Sequence, residues 1–158
     1  MIKKMTLLVV LASVLLAGCK KNEDTRCTNV DPKVEEPAII AYNAAEGITA
    51  QKDPTGVYYQ ILNLGTGVTP SPNSAVTVQY VGKLFNGTIF DSNTSPGGVQ
   101  FPLSQLIPGW QIGIPKIRVG GKIRLVVPSA YAYGCQGSPP TIPANSPLFF
   151  EITLLGVN

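Results

Sequence analysis

Between Gly56 and the C-terminus only one stretch can start a helix, Leu106-Ile107-Pro108-Gly109-Trp110, and strand-like runs flank it on both sides. Pro108 suits the first helical position, because the amide hydrogen it lacks would be unpaired there anyway. Pro115 then confines the helix to little more than two turns, since an interior proline removes a hydrogen bond and clashes with the preceding turn. Such a chain has to be α+β: an antiparallel sheet with one short helix to cover. Trp110 is the only tryptophan in the chain. Early in that helix, its indole reads as the floor of a sheet-wrapped pocket. Taken alone it reads more readily as core.

The strands follow from period-two alternation. Residues 57–62 form the first run. Residues 75–85 form the longest, with Val76, Val78 and Tyr80 on one face and Thr77 and Gln79 on the other. Asn86-Gly87 marks a tight hairpin turn into 88–91. Runs at 99–103 and 122–127 follow. The last, 148–155, puts Phe150, Ile152 and Leu154 on one face and Phe149 and Glu151 on the other. That makes five to six antiparallel strands. Residues 129–147 form a long loop rich in Gly, Pro, Tyr and Ser, and a loop of that length inside a compact domain is usually functional.

Ahead of the domain, Lys3 and Lys4 precede an apolar run over 5–17, then Gly18-Cys19. That is the layout of an export signal over residues 1–18, with an apolar run too short to span a bilayer. Leu16-Ala17-Gly18-Cys19 resembles the bacterial lipobox. The resemblance implies lipidation of Cys19, cleavage before it and a membrane contact through the lipid anchor. Lys20, with no aspartate after the cysteine, points to the outer membrane of the cell envelope. Residues 19–34 are polar and read as a flexible tether. Residues 35–55 form an extension with a short helix over 35–46. Glu35 and Glu36 favour its start, Pro37 fits its first turn, Ile39, Ile40, Tyr42 and Ala45 give it an apolar face, and Gly47 stops it. That helix packs on the domain or mediates self-association. The domain proper is 56–158. Export makes a disulfide chemically permissible. With Cys27 in the tether and Cys135 in the long loop, the expectation is two free thiols or an adventitious bond, not a designed staple.

Without Lys3 and Lys4 the chain has ten basic residues against nine acidic. That balance argues against a nucleic-acid partner, which needs a basic footprint. The chain has no histidine, which removes the usual Ser-His-Asp and Cys-His nucleophile systems and any His-ligated metal site. Cys27 and Cys135 do not make a zinc site, and no cofactor motif appears: Gly65-Thr66-Gly67 is too short for a nucleotide fingerprint. What stands out instead is aromatic and aliphatic: Tyr80, Phe90, Ile107, Trp110, Tyr133, Ile142 and Phe150, with Asp91 and the tyrosine hydroxyls as the polar groups. Residues of this kind make a dry, shaped pocket with a few orienting groups.

These residues resemble the FKBP-type peptidyl-prolyl cis-trans isomerases. The matching segments are VTVQYVGKLFNGTIFDS, FPLSQLIPGW, VGGKIRLVVPSAYAYG and IPANSPLFFEITLL, in the family's order and spread over the whole domain. The resemblance implies a half-barrel sheet wrapped on the short helix. It implies catalytic roles for Tyr80, Phe90, Asp91, Ile107, Trp110, Tyr133 and Phe150, and substrate contacts from Leu106, Ile142 and Phe101, with Val99 as an alternative to Phe101. It also implies proline-containing polypeptides as partners, with macrolides as inhibitors, and no cofactor or metal. Two features depart from the family pattern and bear on substrate preference. Ala130 stands where an acidic residue is common, and residues 135–141 differ from the commoner loop. The activity so implied is peptidyl-prolyl isomerisation that assists folding of exported proteins. The alternative is a non-catalytic proline-peptide-binding or chaperone module of the cell envelope. A purely structural lipoprotein domain would bind no proline peptide.

Overall fold

The computed structural model describes residues 27–158, so the export signal and Cys19 lie outside the described residues. The first element is α1 (Pro32–Ala45). It begins earlier than the acidic pair that suggested its start. Asp31 caps it, its carboxylate accepting the Lys33 amide at 2.9 Å, and Pro32 follows in the first turn. The cap supplies an acceptor for a first-turn amide, which the glutamates do not. Pro37 consequently lies inside the helix. The helix ends at Ala45 with Glu46 as its cap, and Gly47, the expected stop, follows at φ +64°.

The strands are β1 (Gln51–Lys52), β2 (Tyr58–Asn63), β3 (Ala75–Leu84), β4 (Ile89–Asn93), β5 (Val99–Pro102), β6 (Lys122–Val127) and β7 (Leu148–Val157), with α2 (Pro108–Gly113) between β5 and β6. The six longer strands match the expected runs to within two residues at each end; the two-residue β1 is the addition. All ladders are antiparallel, in the order β1-β2-β6-β7-β3-β4. The free edge of β3 is shared: its first half pairs with β5 and its second half with β4.

Alternation along β6 and β7 divides the molecule into two packed faces. Ile123, Leu125 and Val127 join Leu148, Phe150, Ile152 and Leu154 in the main core, with Trp110 and Ile114 from the helix side. The intervening Val126 and Phe149 point the other way, into a smaller cluster with Ile39, Ile48 and Tyr58. So α2 covers one face of the sheet and α1 the other. Of the two expectations for the N-terminal helix, packing on the domain is the one observed. Tyr42 stacks on Phe85 at 4.1 Å, and the Tyr58 hydroxyl donates to Glu36 at 2.7 Å.

α2 lies close on β6 because Gly109 and Gly113, one turn apart, have no side chains to hold it off. A Cβ on Gly109 would collide with Val127, and one on Gly113 would sit 2.5 Å from Leu125. Past Gly113 the chain tightens into a 3-10 turn, Ile114–Lys116, containing Pro115. Among the described residues no helix is long and apolar enough to cross a membrane.

Of the expectations for the cysteines, two free thiols is not what is found. Cys27 and Cys135 are joined by a disulfide. Of the segment expected as a tether, only residues 27–34 are described, and Pro32 onward belongs to α1. Residues 27–31 fold back over the long loop, where the Asn29 side-chain oxygen accepts the Cys135 amide at 3.0 Å. That return brings the two Cα atoms to 5.6 Å, within bridging distance.

Candidate active site

A hollow of about 180 Å³ opens between α2, the β3–β4 ladder, β5, β7 and the long loop, lined by Tyr80, Phe90, Asp91, Phe101, Leu106, Ile107, Trp110, Tyr133 and Phe150. These residues come from separate stretches of the sequence that meet only in the fold. Of the two candidates for the variable wall, Phe101 lines the hollow and Val99 does not. Ile142 is buried in the core cluster that holds Trp110 and Phe150, but it is not part of the lining.

The aromatic side chains make one continuous edge-to-face series. Phe90 meets Phe150 at 5.6 Å and 88°, Phe150 meets Trp110 at 5.4 Å and 88°, and Trp110 meets Tyr80 at 5.1 Å and 77°. Phe101 extends the series from Tyr80 at 6.4 Å. Ring edges carry positive and ring faces negative partial charge, so these arrangements are the favoured ones, each adding about 0.5–1.5 kcal/mol beyond area burial. The wall is therefore held by its own contacts. Trp110, 4% exposed, forms the floor. Its Nε1 has no acceptor among the described residues.

Phe90 and Asp91 are neighbours in sequence, yet both line the hollow, which strict strand alternation forbids. The cause is a β-bulge. Gly82 pairs with Asp91 and the next residue, Lys83, pairs with Ile89, so Phe90 is the extra residue on β4. Because Asp91 faces Gly82, Tyr80 is its diagonal neighbour on the same face. The Tyr80 hydroxyl donates to Asp91 Oδ2 at 2.6 Å. Gly82 was not singled out in the sequence, and it is what lets the bulged Phe90 lie over β3. A Cβ there would come within 2.6 Å of the Phe90 ring and 3.1 Å of Phe150. The available signal was a glycine inside an otherwise well-formed strand, which often marks a close approach.

The polar groups are few and oriented. Burial raises the pKa of the Tyr80 hydroxyl, and its hydrogen bond to Asp91 raises it further. The Tyr133 hydroxyl is raised too, first by burial and then by the nearby charge of Asp91. Both phenols are therefore neutral donors through the physiological range. Ile107 precedes α2 in extended geometry, and its carbonyl accepts the Trp110 amide at 2.9 Å. Its own N–H meets no acceptor among the described residues, as is usual at the start of a helix. No group of three or more His, Cys, Asp or Glu that could hold a metal occurs among the described residues.

The model of the FKBP-type peptidyl-prolyl cis-trans isomerase family matches residues 67–155. The chain belongs to that family. The matched span runs from ahead of β3 into β7 and contains every residue that lines the hollow. The chain is 39% identical over 127 residues to a probable FKBP-type peptidyl-prolyl cis-trans isomerase FkpA of Neisseria meningitidis, covering 79% of this chain and 46% of that one. It is 47% identical over 98 residues to FK506-binding protein 1 of Saccharomyces cerevisiae, covering 60% and 86%. Among solved structures, a peptidyl-prolyl cis-trans isomerase of Pseudomonas syringae pv. tomato aligns at a TM-score of 0.69 with 34% identity, over 83% of this chain and 98% of that one. The chain spans about half the length, or less, of the first curated relatives it matches. The FKBP-like fold expected from the sequence, an antiparallel sheet wrapped on a short helix, is the fold observed.

Proposed function

We propose that this protein is a peptidyl-prolyl cis-trans isomerase that works through the Trp110 hollow without covalent catalysis, on proline-containing segments of exported proteins. The single observation that carries the reading is the edge-to-face aromatic wall closing on Trp110, with Asp91 and two neutral tyrosines as its polar side chains.

Rotation about a peptide bond meets a barrier of about 18–20 kcal/mol from amide resonance. Before proline both isomers are populated, and they exchange in tens to hundreds of seconds unaided. No covalent bond breaks, so no nucleophile is required. The planar amide is charge-separated, while the twisted amide has lost resonance and is less polar. An apolar hollow that excludes water therefore favours the twisted form over the planar one. That difference is what lowers a barrier. Lowering it by about 5–7 kcal/mol accelerates exchange roughly 10⁴–10⁵-fold.

The proposed roles follow from position. Trp110, Phe150, Tyr80 and Ile107 hold the proline ring, with Leu106 and Phe101 at the margin and Ile142 packing among the core residues. The Tyr133 hydroxyl and the Ile107 N–H donate to substrate carbonyls. Asp91 fixes Tyr80, and Phe90 walls the carbonyl side. A hollow of this kind also suits macrolides that present a proline-like ring.

A protease-coupled assay on a Xaa-Pro peptide tests the reading. Catalysed exchange well above background is expected. Background rates from folded protein that still binds the peptide would leave a binding module in its place.

We further propose export and a lipid anchor at Cys19, with the domain in the cell envelope at the outer membrane; the signal-like residues 1–18 and the Leu16-Ala17-Gly18-Cys19 quartet support this reading. Mass spectrometry of the N-terminal peptide from membranes of an expressing bacterium should find acylated Cys19 as the first residue. An unmodified Cys19, or a retained signal, argues against the anchor.

A further inference from the structure

The loop that carries Tyr133 is pinned at both ends by one segment, and that segment lies outside the matched isomerase domain. After β6, the chain from Ser129 to Cys135 forms a short 3-10 turn and then a series of turns. The base of this loop is Ser129, which is fully buried. Its carbonyl accepts the amides of Ala132 at 2.9 Å and Gly134 at 2.8 Å, so the placement of Ser129 sets the path of the residues around Tyr133. Ser129 is in turn held by Glu35 of α1. Its N–H donates to Glu35 Oε2 at 2.8 Å and its hydroxyl to Glu35 Oε1 at 2.5 Å. Glu35 is itself only 8% exposed. Burying a carboxylate is costly unless hydrogen bonds compensate it, so this contact demands one geometry.

The far end of the loop is held by residues just ahead of α1. The Asn29 side-chain oxygen accepts the Cys135 amide, and Cys27 is disulfide-bonded to Cys135. Gly134 makes room for this: it has φ +59°, and a Cβ on it would collide with Asn29 Oδ1. Three side chains of residues 27–35 thus grip the two ends of a seven-residue loop. Tyr133 sits inside the grip, 39% exposed and facing the hollow.

We infer that residues 27–35 are a clamp that positions Tyr133 for substrate, with Glu35 its principal positioning residue. None of its residues lines the hollow. It narrows the range of positions open to the Tyr133 hydroxyl, so a bound carbonyl meets a donor already in place. This inference rests on the proposed role of Tyr133 in the isomerase reaction.

A double-mutant cycle on the full chain tests it, using kcat/KM for a Xaa-Pro peptide. Tyr133→Phe in the wild-type background is expected to lower kcat/KM about tenfold, the effect of one lost hydrogen bond to substrate. Glu35→Ala is expected to lower it about three- to tenfold, mainly through KM, with the far-UV spectrum retained. In the Glu35→Ala background, Tyr133→Phe should then cost about twofold or less, because coupled residues are non-additive. If Glu35→Ala does not fold, Asn29→Ala or the pair Cys27→Ser with Cys135→Ser carries the same cycle. The same loss from Tyr133→Phe in both backgrounds overturns the clamp and leaves the proposed function standing. No loss from Tyr133→Phe in the wild type overturns the role of Tyr133, and the clamp with it.

Discussion

Asp91 lies on the surface and belongs to neither core cluster, while its carboxylate holds the Tyr80 hydroxyl at the rim of the hollow. Truncating it therefore separates catalysis from stability. Asp91→Ala should lower kcat/KM for a Xaa-Pro peptide about tenfold, the effect of losing one charge-assisted hydrogen bond. The midpoint of thermal unfolding should move by no more than about 4 °C, as for a surface change of under about 1 kcal/mol. Unfolding of the variant would mean that Asp91 holds the fold and not the site. At this scale the lining residues were legible only through the order of the motifs, because each large aromatic taken singly reads as core packing. The co-facing of Phe90 and Asp91 was not. It depends on a bulge opposite Gly82, and no period-two reading of β4 alone contains an extra residue.

The close approach of α2 to β6 fixes where Trp110 sits. Gly109 and Gly113 face Val127 and Leu125 without room for a methyl group. Helix propensity by itself favours Gly113→Ala by up to about 1 kcal/mol. Overpacking opposes it by about 1–3 kcal/mol, so the variant should be destabilised, with a lower urea midpoint and altered Trp110 fluorescence. A stabilised variant would mean that α2 can lift from β6 without cost. The elements themselves were largely readable: proline at 108 and 115 bounded the helix, and alternation bounded the strands. The start of α1 was misplaced because the charged pair Glu35-Glu36 outweighed the Asp31-Pro32 cap, although the cap is the physically stronger signal. The two-residue β1 has too few side chains to show any period.

Across the whole molecule, two faces of one sheet are used differently. One face builds the hollow around α2, and the other carries α1, whose first turns reach the loop that supplies Tyr133. The Cys27–Cys135 bond was illegible because 108 positions separate the partners and nothing local announces that the polar segment turns back. The central claim concerns the hollow as a unit: it eases rotation about a proline linkage by solvation and shape, with no proton or electron pair changing hands. The direct measurement is kcat/KM for one Xaa-Pro peptide with the intact chain, in H₂O and in D₂O, from pH 6 to 9. Expected are clear acceleration over the unaided rate, an isotope ratio near unity, and a flat profile across a range in which the raised Tyr80 and Tyr133 hydroxyls stay protonated. An isotope ratio of about two or more, together with a titrating limb in that window, would show a proton in flight and contradict it.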